Sequence, residues 1–73
     1  MKVAVLDLGT NTFNLVVGEK TSGGALHILY SNKIPVKLGE GGMTKGEIIA
    51  PAYHRGINAI NQHFKTIKKF QVN

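Results

Sequence analysis

The sequence predicts an α/β fold in which a three-stranded antiparallel meander is followed by one helix. Three segments rich in apolar residues come first, at about 2–8, 13–19 and 25–34, and polar turns that contain glycine separate them. A fourth segment, at about 51–69, instead repeats its large apolar residues at helical spacing. With 73 residues, the chain has room for at most one small domain.

The three strands are expected to differ in burial. The segment at 2–8 is apolar on both faces apart from Asp7, a pattern typical of a strand that is covered on both sides. The segment at 13–19 is nearly as apolar and is also expected in the interior. The segment at 25–34 begins with clear alternation, which predicts a half-exposed edge strand.

The helix is the most clearly marked element. Pro51 suits the first helical position, where its missing amide hydrogen costs nothing. Large apolar residues then recur at spacings of three or four and form a stripe along one helix face. We expect this stripe to pack against the sheet. Its members are Tyr53, Ile57, Ile60, Phe64 and Ile67.

The composition favours an anionic partner without selecting one. The net charge is +5, which suits nucleotides, polyphosphate, nucleic acid or acidic lipid. The absence of cysteine excludes disulfides and thiolate zinc sites. His27, His54 and His63 lack the spacing of a metal-ligand pair and are interpreted as structural or surface residues. No segment resembles a secretory signal or a membrane helix, so we expect a cytoplasmic protein.

The short polar turn between the first two strands is the candidate site. Gly9 lets the backbone approach a ligand and can take a positive φ, and Asn11 tolerates the left-handed region. Thr10 and Thr12 add hydroxyl donors, and successive amides in such a turn can form a nest for an anion. Asp7 would repel phosphate unless a cation or a water lies between them, an arrangement that suits a carboxylate holding hydrated magnesium. An ordinary hairpin built from the same turn-forming residues remains the alternative.

Two sequence patterns occur one after the other along the chain. DLGTNT begins at Asp7 after an apolar run, and VKLGEG begins at Val36 and is followed by Arg55-Gly56 in the helix. The first pattern resembles the D-[IL]-G-[ST]-N-[ST] phosphate motif of the exopolyphosphatase and guanosine-pentaphosphate phosphatase family. The second is similar to that family's V-[RK]-L-G-E-G element. Because the match spans essentially the whole chain, it is more specific than a lone glycine loop.

The resemblance implies the opening half of a ribonuclease-H-like, actin-like domain. Residues 1–73 would then be a partial N-terminal domain, an N-terminal fragment of a hydrolase. That family cleaves terminal phosphoanhydride bonds of polyphosphate or guanosine pentaphosphate with magnesium. In the family the catalytic glutamate lies later in the chain, so we expect this fragment alone to be inactive. The only other carboxylate near the second motif, Glu47, is a poor candidate for the general base.

The resemblance also implies roles for individual residues. Asp7 would stand near the metal or its water, and Glu40 and Gly41 would line the cleft. The residues expected to contact phosphate oxygens are Gly9, Thr10, Asn11 and Thr12. Two departures are visible: Lys37 stands where arginine is frequent, and the extra glycine at position 42 is expected to loosen the loop.

Two alternative functions and one oligomeric assembly are also compatible with the sequence. A small basic module could bind nucleic acid through Lys65, Lys68 and Lys69, although a solvated helix face is favoured because no aromatic platform accompanies them. Sugar and acetate kinases of the actin-like superfamily share a D-x-G-[ST] turn, but the second motif argues against them. An uncovered first strand also predicts a homo-oligomer through the exposed sheet edge.

Overall fold

Three strands and one helix form the fold in the computed structural model, which describes residues 1–42 and 45–72. The strands are β1 (Lys2–Leu8), β2 (Thr12–Lys20) and β3 (Leu26–Pro35), and the helix is α1 (Ala50–Lys69). The strand order is β1-β2-β3, with both neighbouring pairs antiparallel. The predicted meander followed by a helix is therefore confirmed.

The central strand β2 supplies most of the core. Its alternate residues Phe13, Leu15 and Val17 are buried, as the period-two geometry of a strand requires for the face that meets the helix. Val36, just past β3, is also fully buried. Each such side chain contributes roughly 1.5–3 kcal/mol by leaving water. The sheet is thus anchored near the end of β2 that follows the first turn.

The strands at the two edges of the described sheet are more exposed. The expectation that β1 is covered on both sides is wrong for the described residues, because Val5 and Leu8 are 58% and 54% exposed. The reason is that β1 pairs with β2 alone, while α1 packs on β2 and β3. Strand β3 lies at the edge of the described sheet, as predicted, but it is mostly exposed and not half-exposed. Self-association through β1 stays a prediction, which sedimentation of the purified chain would test.

The helix packs on the sheet through a face that only partly overlaps the predicted stripe, of which Ile60 packs against the core and Ile67 is partly buried. Tyr53 and Phe64 of the predicted stripe are more than half exposed, and Ile57 is also exposed. The buried helix residues are instead Ala52, Gly56, Ala59 and His63. Small residues occupy this face because they let the helix approach closely. A Cβ on Gly56 would lie 3.3 Å from Leu38 and 3.7 Å from the ring of Phe13 in β2. None of the described helices is long and apolar enough to cross a membrane.

A buried histidine joins the helix to the strand that leaves the first turn. His63 is almost wholly buried, and its Nε2 lies 2.8 Å from the carbonyl oxygen of Phe13, so Nε2–H donates. This bond satisfies a polar side chain that would otherwise be costly to bury. His27 and His54 are exposed. The histidines therefore take the structural and surface roles that their spacing predicts.

Candidate functional site

The candidate site is the three-residue turn between β1 and β2. Strand β1 ends at Leu8 and β2 begins at Thr12, so the turn comprises residues 9–11. The Gly9 amide donates to the Thr12 carbonyl oxygen at 3.1 Å, and a Cβ on Gly9 would lie 3.2 Å from that oxygen. Neither Gly9 nor Asn11 adopts a positive φ. Glycine is therefore needed here for close approach and not for a left-handed backbone.

The carbonyl oxygens of this turn are occupied by the segment that follows β3. The Asn11 oxygen accepts from the amides of Val36 at 2.8 Å and Lys37 at 3.1 Å. The Thr10 oxygen accepts from the Leu38 amide at 2.8 Å. Lys37 has a φ of +46°, the left-handed region that non-glycine residues seldom adopt. The acceptors of the turn thus face the protein.

The donors of the turn are left available. Among residues 1–42 and 45–72, no hydrogen bond engages the amides of Thr10 and Asn11. The same holds for the Thr10 and Thr12 hydroxyls and the Asn11 side chain within that part of the chain. Thr10 and Asn11 are exposed. An exposed turn with bonded carbonyl oxygens at Thr10 and Asn11 and unbonded donors suits an oxyanion.

The glycine-rich loop that follows β3 is folded tightly around Gly42. Gly42 donates to the Gly39 oxygen, and its own oxygen accepts from the amides of Lys45 and Glu47, both at 3.1 Å. A Cβ on Gly42 would collide with the Glu47 carbonyl oxygen. Gly41 has a φ of +77°, which only glycine adopts readily. These glycines are therefore required for close packing, whereas the sequence alone predicts a looser loop.

A small cavity lies between the turn and this loop. Its volume is about 210 Å³. Pockets for whole small-molecule ligands usually enclose about 300–1,000 Å³, so this one is too small to enclose a complete nucleotide. Its lining residues are Thr10, Leu38, Gly39, Gly46, Glu47 and Ile48. Thr10 therefore belongs to both the turn and the cavity.

Glu40 lies beside an arginine and not at the cavity. Its Oε1 is 3.3 Å from Nη2 of Arg55 in the first turns of α1, and the carboxylate is more than half exposed. Arg55 also donates to the carbonyl oxygens of Val36 and Lys37. The resemblance assigned Glu40 to the cleft, but a contact with Arg55 was not expected. The only sequence signal for Arg55 was its place in the Arg-Gly pair that follows the second motif.

A second polar pair lies on the sheet face away from α1. Asp7 is exposed at the end of β1 and is directly opposite Asn14 of β2, so the two side chains share a face. The Oδ1 atom of Asn14 is shielded from solvent and has no hydrogen-bond partner within the described residues. The strand register could have identified Asn14, but the motif alone did not. Among the described residues, no three metal-binding side chains cluster.

Solved structures with a similar fold show which class of protein the chain resembles. Over its whole length it matches an exopolyphosphatase from Cytophaga hutchinsonii, with a TM-score of 0.92 and 32% identity, and covers 23% of that chain. It also matches, over its whole length, the Ppx/GppA phosphatase of Aquifex aeolicus, with a TM-score of 0.91 and 23% identity, and covers 24% of that chain. The meander and helix thus correspond to the opening of an actin-like domain.

The comparisons also support the family resemblance. The two matched structures are an exopolyphosphatase and a Ppx/GppA phosphatase, the kind of protein that the two motifs resemble, so that prediction is confirmed. No protein-family model matches the sequence, and neither does any curated protein. The chain spans about a quarter of the length of either matched structure.

Proposed function

We propose that this chain carries the first phosphate-binding element of an exopolyphosphatase-like phosphoanhydride hydrolase. One observation carries the proposal: the carbonyl oxygens of Thr10 and Asn11 are bonded to residues 36–38, while both residues are exposed and their amides are unbonded within the described residues. An anionic oxygen is attracted to hydrogen-bond donors and repelled by carbonyl oxygens. The net charge of +5 adds a general attraction for polyphosphate or guanosine pentaphosphate.

The proposed role of the turn is to bind non-bridging phosphate oxygens. In phosphoryl transfer the protein contributes mainly by positioning the phosphate and neutralising its charge. The backbone amides of Thr10 and Asn11, the hydroxyls of Thr10 and Thr12 and the side-chain amide of Asn11 would donate to these oxygens. Preorganised donors of this kind need no rearrangement when charge builds up in the transition state.

We further propose that Asp7 and Asn14 hold a hydrated magnesium ion. The residues present fit such an ion, because Mg²⁺ prefers oxygen ligands, keeps several waters and takes only one or two protein carboxylates. Asp7 offers an exposed carboxylate, and the unbonded Oδ1 of Asn14 lies on the neighbouring strand. When bound, the ion would neutralise phosphate charge. It would also remove the repulsion between Asp7 and the substrate.

We expect the chain to bind phosphate without turning it over. Hydrolysis needs a base that orients the attacking water. Glu40 is engaged by Arg55, and Asp7 is assigned to magnesium. Glu47 lines the cavity, but nothing in the described residues orients its carboxylate toward the turn. Phosphate release from tripolyphosphate by the pure chain would contradict this part of the proposal.

Calorimetric titration of the chain with magnesium tripolyphosphate tests the binding proposal. Thr10→Val and Asn11→Ala should each weaken binding, and the double substitution should weaken it at least tenfold, because donors to a charged group are lost. The matched control is Thr21→Val in the second hairpin turn, which should leave the affinity unchanged. A second control replaces Lys65, Lys68 and Lys69 by Gln. Loss of binding in that control alone would show that general charge, and not the turn, holds the ligand.

A further inference from the structure

The geometry points to Arg55 as a positioning residue for the phosphate-binding turn. We propose that its guanidinium holds residues 36–38 against the turn, so that the turn's carbonyl oxygens stay occupied and its donors face outward. This inference rests on the proposed function, since it explains how the turn is kept ready for a phosphate group. It assigns Arg55 no contact with the phosphate.

The contacts form a continuous path from the helix to the turn. Arg55 Nε donates to the Val36 carbonyl oxygen at 2.8 Å, and Nη2 donates to the Lys37 oxygen at 3.2 Å. On the other side of the same two peptide groups, the Lys37 amide donates to the Asn11 oxygen and the Leu38 amide donates to the Thr10 oxygen. Both peptide groups are therefore held at both ends. Arginine suits this task because its planar group presents several donors in a fixed arrangement.

The backbone at Lys37 explains why such support is needed. A φ of +46° is unfavourable for a residue with a Cβ, by about 1–2 kcal/mol. This conformation turns the amides of both Val36 and Lys37 toward one acceptor, the Asn11 oxygen. Such strain persists only when surrounding contacts over-determine the conformation. The two carbonyl contacts of Arg55 supply that restraint.

The helix offers a rigid base for Arg55. The neighbouring Gly56 is buried, and a Cβ there would lie 3.3 Å from Leu38 and 3.7 Å from the Phe13 ring. This close packing fixes the helix against both the loop and the strand that leaves the turn. The Arg55 side chain is about one-third exposed, so its bonds are partly shielded from competing water. The partner Glu40 lies at the more exposed end of the guanidinium.

Arg55→Met tests the assignment, because methionine keeps the length of the stem and removes the donors. The first readout needs no ligand: amide hydrogen exchange at Val36, Lys37 and Leu38 should become at least tenfold faster, while exchange in the core of β2 stays unchanged. The matched control is His54→Gln, an exposed neighbour on the same helix that should alter neither region. Unchanged exchange at residues 36–38 in Arg55→Met would overturn the proposal.

The second readout is tripolyphosphate affinity, which Arg55→Met should lower about tenfold, the factor expected for losing a charge-assisted hydrogen bond. Adding Lys37→Gly to Arg55→Met should restore the affinity to within threefold of the unmodified chain, because glycine adopts the left-handed backbone without support. A double variant that stays weak would overturn the positioning role.

Two outcomes separate this inference from the proposed function. If the unmodified chain does not bind tripolyphosphate, the proposed function fails, and hydrogen exchange still decides whether Arg55 holds the loop. If Arg55→Met unfolds the chain, hydrogen exchange in β2 also becomes faster. The variant Arg55→Lys is then used in place of Arg55→Met. Lysine keeps the charge but cannot reproduce both carbonyl contacts, so exchange at residues 36–38 should still be faster. Unchanged exchange in Arg55→Lys would contradict the proposal.

Discussion

The two hairpin turns of the sheet have similar residues but opposite hydrogen bonding. Both contain glycine and threonine. In the turn between β2 and β3, the Thr21 hydroxyl donates to the Ala25 oxygen and accepts from the Ala25 amide, both at 3.2 Å, and the Thr21 and Gly24 amides are bonded as well. In the turn between β1 and β2, the acceptors are bonded to another segment, and the donors at Thr10 and Asn11 are not bonded within the described residues.

The difference shows that turn composition does not identify a binding turn. Glycine, threonine and asparagine close hairpins well in either case. The two turns differ because the segment after β3 donates to carbonyl oxygens of the first turn. The second turn forms its hydrogen bonds within itself. On the proposed function, a binding turn is recognised by which of its backbone acceptors and donors are already bonded within the protein. The following substitutions test this contrast.

The largest effect is expected from Gly42→Ala in the loop that packs near the first turn. Its Cβ would collide with the Glu47 carbonyl oxygen, a backbone atom that cannot move aside cheaply. We expect the free energy of unfolding to fall by about 3 kcal/mol. The control is Gly23→Ala in the second turn, where the nearest atom is 3.9 Å away and the change should stay within about 0.5 kcal/mol. Urea denaturation measures both, and equal effects would contradict the account.

A smaller effect is expected from the turn threonines. Here the substitution in the second turn should cost more stability than the substitution in the first. Thr21→Val removes both bonds of its hydroxyl to Ala25 and should lower the free energy of unfolding by about 1 kcal/mol. Thr10→Val removes no hydrogen bond of the described structure and should change stability by less than about 0.5 kcal/mol. Thermal unfolding of the two variants checks the difference. A larger loss at Thr10 would show that its hydroxyl has a structural partner.

The secondary structure could be predicted because its signals are local. Apolar runs, polar turns and Pro51 mark elements whose bounds lie within one or two residues of the observed strands and helix. The helix face could not be predicted in the same way. The large apolar side chains of Tyr53, Ile57 and Phe64 dominate the apolar pattern of the helix, so the smaller residues that are buried do not stand out in the sequence. Only the close approach permitted at Gly56 shows which face meets the sheet.

The candidate site was predictable in its residues but not in its arrangement. The motifs identify the turn, yet the left-handed residue is Lys37 and not Gly9 or Asn11. That choice follows from hydrogen bonds between segments far apart in sequence, which no local pattern encodes. The same holds for Arg55, whose partners lie 15 to 19 residues earlier in the sequence. It also holds for Asn14, which the strand register places opposite Asp7.

The most direct test of the central claim is an NMR titration of the chain with magnesium tripolyphosphate. The account expects saturable shifts of the Thr10 and Asn11 amides, with the Thr21 and Gly24 amides unmoved. Shifts confined to the lysine-rich end of α1, or equal in the two turns, would contradict the claim that the first turn is built to bind phosphate.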